Sequence, residues 1–215
     1  MDWATTLWAI EQCRGIVDGV ANIHQFRSTN SKVRPVDVGD GDEKPVFGFH
    51  GDIKPENVLW FPEPGRAACP AGGTLKLSDF GLAELSIHQT LSKRPPSQFV
   101  ASPSYRAPEC DVDDEAKLGR ATDMWALGCL YLEFLSWLLG GWPLVSEFRE
   151  RRYSVDPMWC GVLTDTFFKL VKGSKPRKAK AVIKPAVSDV SSALGLAGRI
   201  SARHILHFAD YLLPS

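Results

Sequence analysis

Paired cysteines are missing from this sequence. Cys13, Cys69, Cys110, Cys129 and Cys160 are scattered and odd in number, with no Cys-x-x-Cys spacing. That excludes a disulfide scaffold and a paired-cysteine zinc site, and is read as reduced thiols in an intracellular protein. An excess of one charge is also missing: Lys plus Arg and Asp plus Glu both number 25. No global field therefore drives binding to nucleic acid or an anionic membrane, and partners must be recognised locally. A secretory leader is not expected, because Met1-Asp2-Trp3 carries an acid where a basic n-region belongs. Long apolar runs are limited to Met124–Leu144, whose only charge is Glu133. Gly128, Gly140, Gly141 and Pro143 interrupt it and no basic cluster flanks it, so it is expected to be a helix buried on all sides of a globular domain rather than a membrane span. No internal repeat is present.

What remains is a globular composition, 215 residues with 44% hydrophobic and 23% charged side chains, enough for one sizeable core or two small ones. From Trp3 to Ile23 the apolar residues Trp3, Leu7, Ile10, Cys13, Val17, Val20 and Ile23 recur by threes and fours. This predicts a long amphipathic helix that buries those side chains. Residues 27–47 are polar and rich in turn formers, which predicts an exposed loop insertion. Two strand-like runs, Asn57–Phe61 and Leu75–Leu77, flank a Pro- and Gly-rich connection and predict a hairpin with a long loop. Beyond residue 120 the pattern reads as helical, with further helices near Thr164–Val171 and Ser201–Leu212. Lys172, Lys175, Arg177, Lys178, Lys180 and Lys184 form a basic run broken by Gly173, Pro176 and Pro185, read as a solvated loop. The expected class is mainly α with a small β-hairpin sheet (α+β).

The chemistry concentrates in His50-Gly51-Asp52-Ile53-Lys54-Pro55-Glu56-Asn57, just before the first strand of the hairpin. Asp52 and Asn57 are five residues apart across a turn containing Pro55, so their side chains can converge. Asp79-Phe80-Gly81 follows the second strand directly, and a hairpin would return Asp79 beside Asn57. Two carboxylates, an amide oxygen and an ammonium together suit a magnesium-bound polyphosphate: hard oxygen ligands for the metal and a point charge for phosphate. In isolation an Asp-x-x-x-x-Asn is more often a turn or helix cap, because both side chains bond readily to nearby backbone. His24, His88, His204 and His207 show no spacing expected of a metal site and are read as surface or packed histidines.

These segments resemble the catalytic and magnesium-binding loops of eukaryotic serine/threonine protein kinases. The order of further motifs agrees: Ala107-Pro108-Glu109 is similar to the close of the activation segment (79–109), and Asp123-Met124-Trp125-Ala126-Leu127-Gly128 to the start of the buried central helix. Arg199-Ile200-Ser201-Ala202 is similar to the late segment whose arginine pairs with the Glu109 equivalent. The resemblance implies ATP and Mg2+ as cofactors and a protein substrate. Asp52 would orient the substrate hydroxyl and accept its proton, and Lys54 would neutralise the transferring phosphoryl group. Asn57 and Asp79 would hold magnesium, with Glu56 and Leu59 in the nucleotide site and Leu59 under adenine. His50 and Phe80 would pack in the internal spine beside Gly81, and Ser102 would contact both catalytic residues.

The resemblance covers only the larger, helical lobe. No Gly-x-Gly-x-x-Gly loop, strand lysine or partner glutamate precedes Asp52, so the chain is expected to represent a partial domain (1–215) whose nucleotide-covering lobe is missing. Gly51 stands where many kinases carry an arginine that binds a phosphorylated activation segment. Two other readings stay open. One is an inactive kinase-like interaction module, or a truncated gene product, that binds a protein on the exposed interlobe face. The other is a small-molecule phosphotransferase of the aminoglycoside or choline kinase type, whose catalytic loop His50-Gly51-Asp52 also resembles.

Overall fold

The computed structural model describes residues 3–25, 47–63, 72–86, 102–112, 119–156, 161–172 and 179–193. Among them are four α-helices and four two-stranded antiparallel sheets, an α+β arrangement. The helices are α1 (Trp3–His24), α2 (Glu109–Val112), α3 (Arg120–Arg152) and α4 (Pro185–Ala193). The sheets pair β1 (Phe47–Phe49) with β4 (Glu84–Ser86), β2 (Val58–Pro62) with β3 (Gly73–Leu77), β5 (Ser154–Asp156) with β6 (Val162–Thr164), and β7 (Phe168–Lys172) with β8 (Ala179–Ile183).

Helix α1 forms where the spacing predicts it, but it is rotated. Trp3, Leu7 and Ile10 are exposed, and the buried stripe is Trp8, Ala9, Gln12, Ile16, Val20 and His24. Polar contacts decide the rotation. Trp8 Nε1 donates to the Gly73 carbonyl at 2.6 Å, and Gln12 Oε1 accepts from Leu75 N at 2.8 Å, so both turn toward β3.

Helix α3 is buried on all sides only in its first half. Trp125, Ala126, Leu127, Cys129, Leu130, Leu132, Glu133 and Ser136 are buried, whereas Trp137, Leu139 and Trp142 are exposed. By length and composition it could cross a membrane, yet 44% of its most apolar window is already covered by the rest of the fold. The helix breaks at Gly141 (φ 65°, ψ −161°), a left-handed residue where glycine carries no Cβ penalty. Pro143 follows and removes one amide donor from the next turn.

Two cores lie on opposite faces of α3. One joins Ile16 and Val20 of α1 to Ile53, Ala126, Leu127 and Leu130. The other joins Trp125, Cys129, Leu132 and Phe148 to Phe167, Phe168, Leu170 and Val187.

The helix expected at Thr164–Val171 is a strand. Phe168 and Leu170 point inward and Lys169 outward, the period of two that a half-buried strand needs. The expected helical continuation after residue 120 therefore gives way at Ser154 to two hairpins. The basic run is likewise not a uniform loop: Lys180 lies in β8 and Lys184 is buried, its Nζ donating to the Arg152 and Thr164 carbonyls at 2.8 and 2.9 Å. The predicted insertion at 27–47 falls, except for Phe47, outside the described residues, as do residues 87–101 of the 79–109 activation segment, the helix at Ser201–Leu212 and Arg199.

Candidate active site

The β2–β3 hairpin does the first positioning step. Val58 pairs with Leu77 and Leu59 with Lys76, so the chain leaving β3 emerges beside the residue that enters β2. Ser78 then donates through both its amide (2.8 Å) and its hydroxyl (2.9 Å) to the Asn57 carbonyl. Asp79 is thus held next to Asn57, the return expected from the hairpin. Asp79 adopts a left-handed backbone (φ 62°, ψ 75°), a conformation that Asp tolerates better than most residues, and its Oδ1 accepts from Gly81 N at 3.2 Å.

Upstream, the loop carrying Asp52 is hung from the first turn of α3. Asp123, fully buried, accepts from His50 N on Oδ2 (2.7 Å) and from Gly51 N on Oδ1 (2.8 Å). Gly51 has φ 83°, so the backbone that presents its amide to Asp123 is one that a side chain would strain. His50 is fully buried. Its Nδ1 accepts from Asp52 N at 3.3 Å and its Nε2 donates to the Ser78 carbonyl at 3.1 Å, which ties Asp52 to the Asp79 side of the site. The His50 ring packs on Phe80 with centroids 5.0 Å apart.

Around Asp52 the side chains converge. Lys54 Nζ donates to Asp52 Oδ2 at 2.6 Å and to Ser102 Oγ at 2.8 Å. Asn57 Nδ2 donates to the Asp52 carbonyl at 2.8 Å and to Oδ2 at 3.0 Å. Ser102 N and Oγ both lie 3.4 Å from Asp52 Oδ1. Asp52, Lys54, Asn57 and Ser102 therefore form one hydrogen-bonded cluster. Glu56 and Leu59 lie exposed at its rim, and Glu109 begins α2, where burial pushes its carboxyl above the ordinary range.

The donor set fits magnesium in a restricted sense. With its nitrogen committed to Asp52, Asn57 has its amide oxygen as the remaining ligating atom, and Asp79 adds a carboxylate. No group of three or more His, Cys, Asp or Glu able to hold a metal occurs among the described residues. Two hard oxygen donors beside an ammonium suit an ion that keeps waters and shares phosphate oxygens, not one enclosed by protein alone. Cysteine chemistry is disfavoured: burial pushes the Cys13 and Cys110 thiols up to about 11 and 12, and Cys129 rises for the same reason.

His24, read from the sequence as a surface or packed histidine, is packed, but its partner was not foreseen. It ends the buried stripe of α1, and its Nε2 donates to Asp123 Oδ2 at 2.8 Å. Its partner is 99 residues away, so no local spacing could reveal the pair.

Residues 47–146 match the family model described as a protein kinase domain. Mitogen-activated protein kinase 17 of Oryza sativa subsp. japonica is 39% identical over 88 residues, which is 41% of this chain and 14% of that protein. Cyclin-dependent kinase-like 2 of Rattus norvegicus is 42% identical over 89 residues (40% of this chain, 15% of that protein), and mitogen-activated protein kinase 16 of Arabidopsis thaliana 36% over 88 residues (41% and 14%). The match thus spans about one seventh of those curated relatives. Over residues 47–146, where the Asp52 cluster and the Asp79 turn both lie, the chain is similar to protein kinases.

Proposed function

We propose that this chain is part of the larger lobe of a serine/threonine protein kinase, acting in an intracellular compartment. In this reading the protein transfers the γ-phosphoryl group of ATP to serine or threonine hydroxyls of other proteins. The observation that carries it is the convergence of Lys54, Asn57 and Ser102 on the Asp52 carboxylate.

Asp52 would orient the acceptor hydroxyl and take its proton as the oxygen attacks, and Asn57 would hold that carboxylate in place through its amide nitrogen. Lys54 offers a positive charge at the same point and would stabilise charge on the transferring group. Asn57 and Asp79 would hold magnesium, which supplies charge neutralisation for the polyphosphate. Leu59 on β2 and Phe80, next to Asp79 in the chain, are exposed apolar side chains that would suit a purine and the packing of further protein. The geometry does the work by positioning rather than by covalent chemistry.

The test uses the full-length native protein with radiolabelled ATP and a panel of peptide, aminoglycoside and choline acceptors. Label should enter serine or threonine of peptides, and Asp52→Asn should lower turnover by ~10²–10⁴. Asp79→Asn should raise the magnesium concentration needed for half-maximal turnover. Full activity in Asp52→Asn would overturn the assignment. Label only in aminoglycoside or choline would move it to the small-molecule phosphotransferases, and no label at all would leave an inactive binding module.

A further inference from the structure

Residues 102–106 are held by a second set of contacts that does not come from the active-site loop. Tyr105 OH donates to Glu133 Oε2 at 2.6 Å, and Arg152 Nη2 donates to Glu133 Oε1 at 2.5 Å. Arg152 Nε donates to the Asp165 carbonyl at 3.0 Å, and Ser104 Oγ donates to Asp165 Oδ1 at 2.5 Å. Since Ser104 and Tyr105 are adjacent, these four bonds close a ring.

The ring is rigid on its far side. The Arg152 guanidinium is buried against the rings of Phe148 and Phe167, 4.3 and 4.1 Å from their centroids. Lys184 Nζ caps the Arg152 carbonyl at 2.8 Å, and Arg149 Nε occupies the other Asp165 oxygen at 3.0 Å. Arg152 and Asp165 both lie beyond residue 146, so the family match does not account for this side of the ring.

The near side reaches the catalytic cluster. Ser102 is joined to Tyr105 and Arg106 by a 3-10 turn, with Tyr105 N donating to the Ser102 carbonyl at 3.2 Å and Arg106 N to the Pro103 carbonyl at 3.3 Å. Holding residues 104 and 105 therefore holds Ser102. The Ser102 contacts to Asp52 are long, 3.4 Å each, so a shift of about 1 Å would abolish them.

We propose that Asp165, Arg152 and Glu133 are positioning residues that clamp the Ser104–Tyr105 turn and thereby fix Ser102 against Asp52 and Lys54. The catalytic meaning of the clamp rests on the kinase reading; its physical existence does not. None of the three need touch substrate. They act through Ser104 and Tyr105.

The experiment compares wild type, Ser104→Ala, Ser104→Thr, Asp165→Ala and the Ser104→Ala/Asp165→Ala double variant in the full-length protein. Amide hydrogen exchange over residues 102–106 is read together with the denaturation midpoint and steady-state kinetics. Losing one charge-assisted hydrogen bond should speed exchange in that segment roughly tenfold, with the exchange of α1 unchanged. The double variant should be no worse there than the worse single one, and Ser104→Thr should restore protection. kcat should fall while the KM for ATP stays constant. Unchanged exchange at 102–106 in Ser104→Ala overturns the clamp, and that variant keeps the test usable if Asp165→Ala fails to fold. Faster exchange with unchanged kcat overturns its positioning role. If the wild type transfers no phosphate, the kinase reading fails, while exchange still decides whether residues 102–106 are clamped.

Discussion

At Gly73 the space for a side chain is already occupied. A Cβ there would collide with the Trp60 indole and come within 2.8 Å of the Phe61 carbonyl, while the Gly73 carbonyl receives Trp8 Nε1. Backbone and a packed indole cannot yield as a flexible chain end can. Gly73→Ala should cost ~1–3 kcal/mol, read as a shift of the denaturation midpoint at constant slope. A neutral result would mean that the hairpin end rearranges freely.

Asp111 offers a pH prediction at the same scale. Burial, with Asp156 adding and Arg106 opposing, raises its carboxyl from 3.8 to about 6, and Arg106 Nε lies 2.8 Å away. A carboxyl whose folded value exceeds its unfolded one binds its proton more tightly when folded. Its contribution to stability is therefore complete below pH 3.8 and lost as pH rises through about 6. Relative to Asp111→Asn, the wild type should lose up to ~3 kcal/mol of unfolding free energy between pH 4 and pH 7. A flat difference across that window would refute the shift.

Among elements, α1 and α3 meet the loop at residues 50–57 at one carboxylate. Asp123 accepts three hydrogen bonds, from His24 of α1 and from the amides of His50 and Gly51. His24→Leu removes one buried donor and leaves the other two. It should cost ~1–3 kcal/mol by denaturation and speed amide exchange at residues 50–52. Loss of stability without any change at 50–52 would mean that His24 supports α1 alone.

The same elements show how far sequence could see. The β2–β3 pairing and the Asp52–Asn57 approach were readable because each depends on a turn or pairing encoded within a few residues. The rotation of α1 was not, because apolar spacing ignores Trp8 and Gln12, whose polar atoms bond to β3 some 65 and 63 residues away. Residues 164–171 misled for a different reason. The pairs Phe167-Phe168 and Leu170-Val171 satisfy a helical spacing as well as a strand one, and only the partner β8 settles the choice. His24, Arg152 and Asp165 act through contacts distant in the chain, so no motif announces them.

Across the whole described fold, α3 is the wall shared by two cores. Ile53 packs in the core that carries the Asp52 loop, and Phe167 in the one that carries the β7–β8 hairpin. Tyr105 touches both, which makes the segment around Ser102 the second bridge between them. If α3 and Tyr105 couple the cores strongly, a defect in either must destabilise both. Ile53→Ala should cost ~2–5 kcal/mol and Phe167→Ala ~3–5 kcal/mol. Tryptophan fluorescence and hydrogen exchange of the β7–β8 hairpin should then report the same single transition in each variant. The two losses should add to within ~0.5 kcal/mol, because the side chains share no direct contact and cooperativity runs through the intact wall. Separate transitions, with Phe167→Ala melting the hairpins while the Asp52 loop stays protected, would show two independent folding units. In that case the clamp on Ser102 would depend on a block that can open by itself.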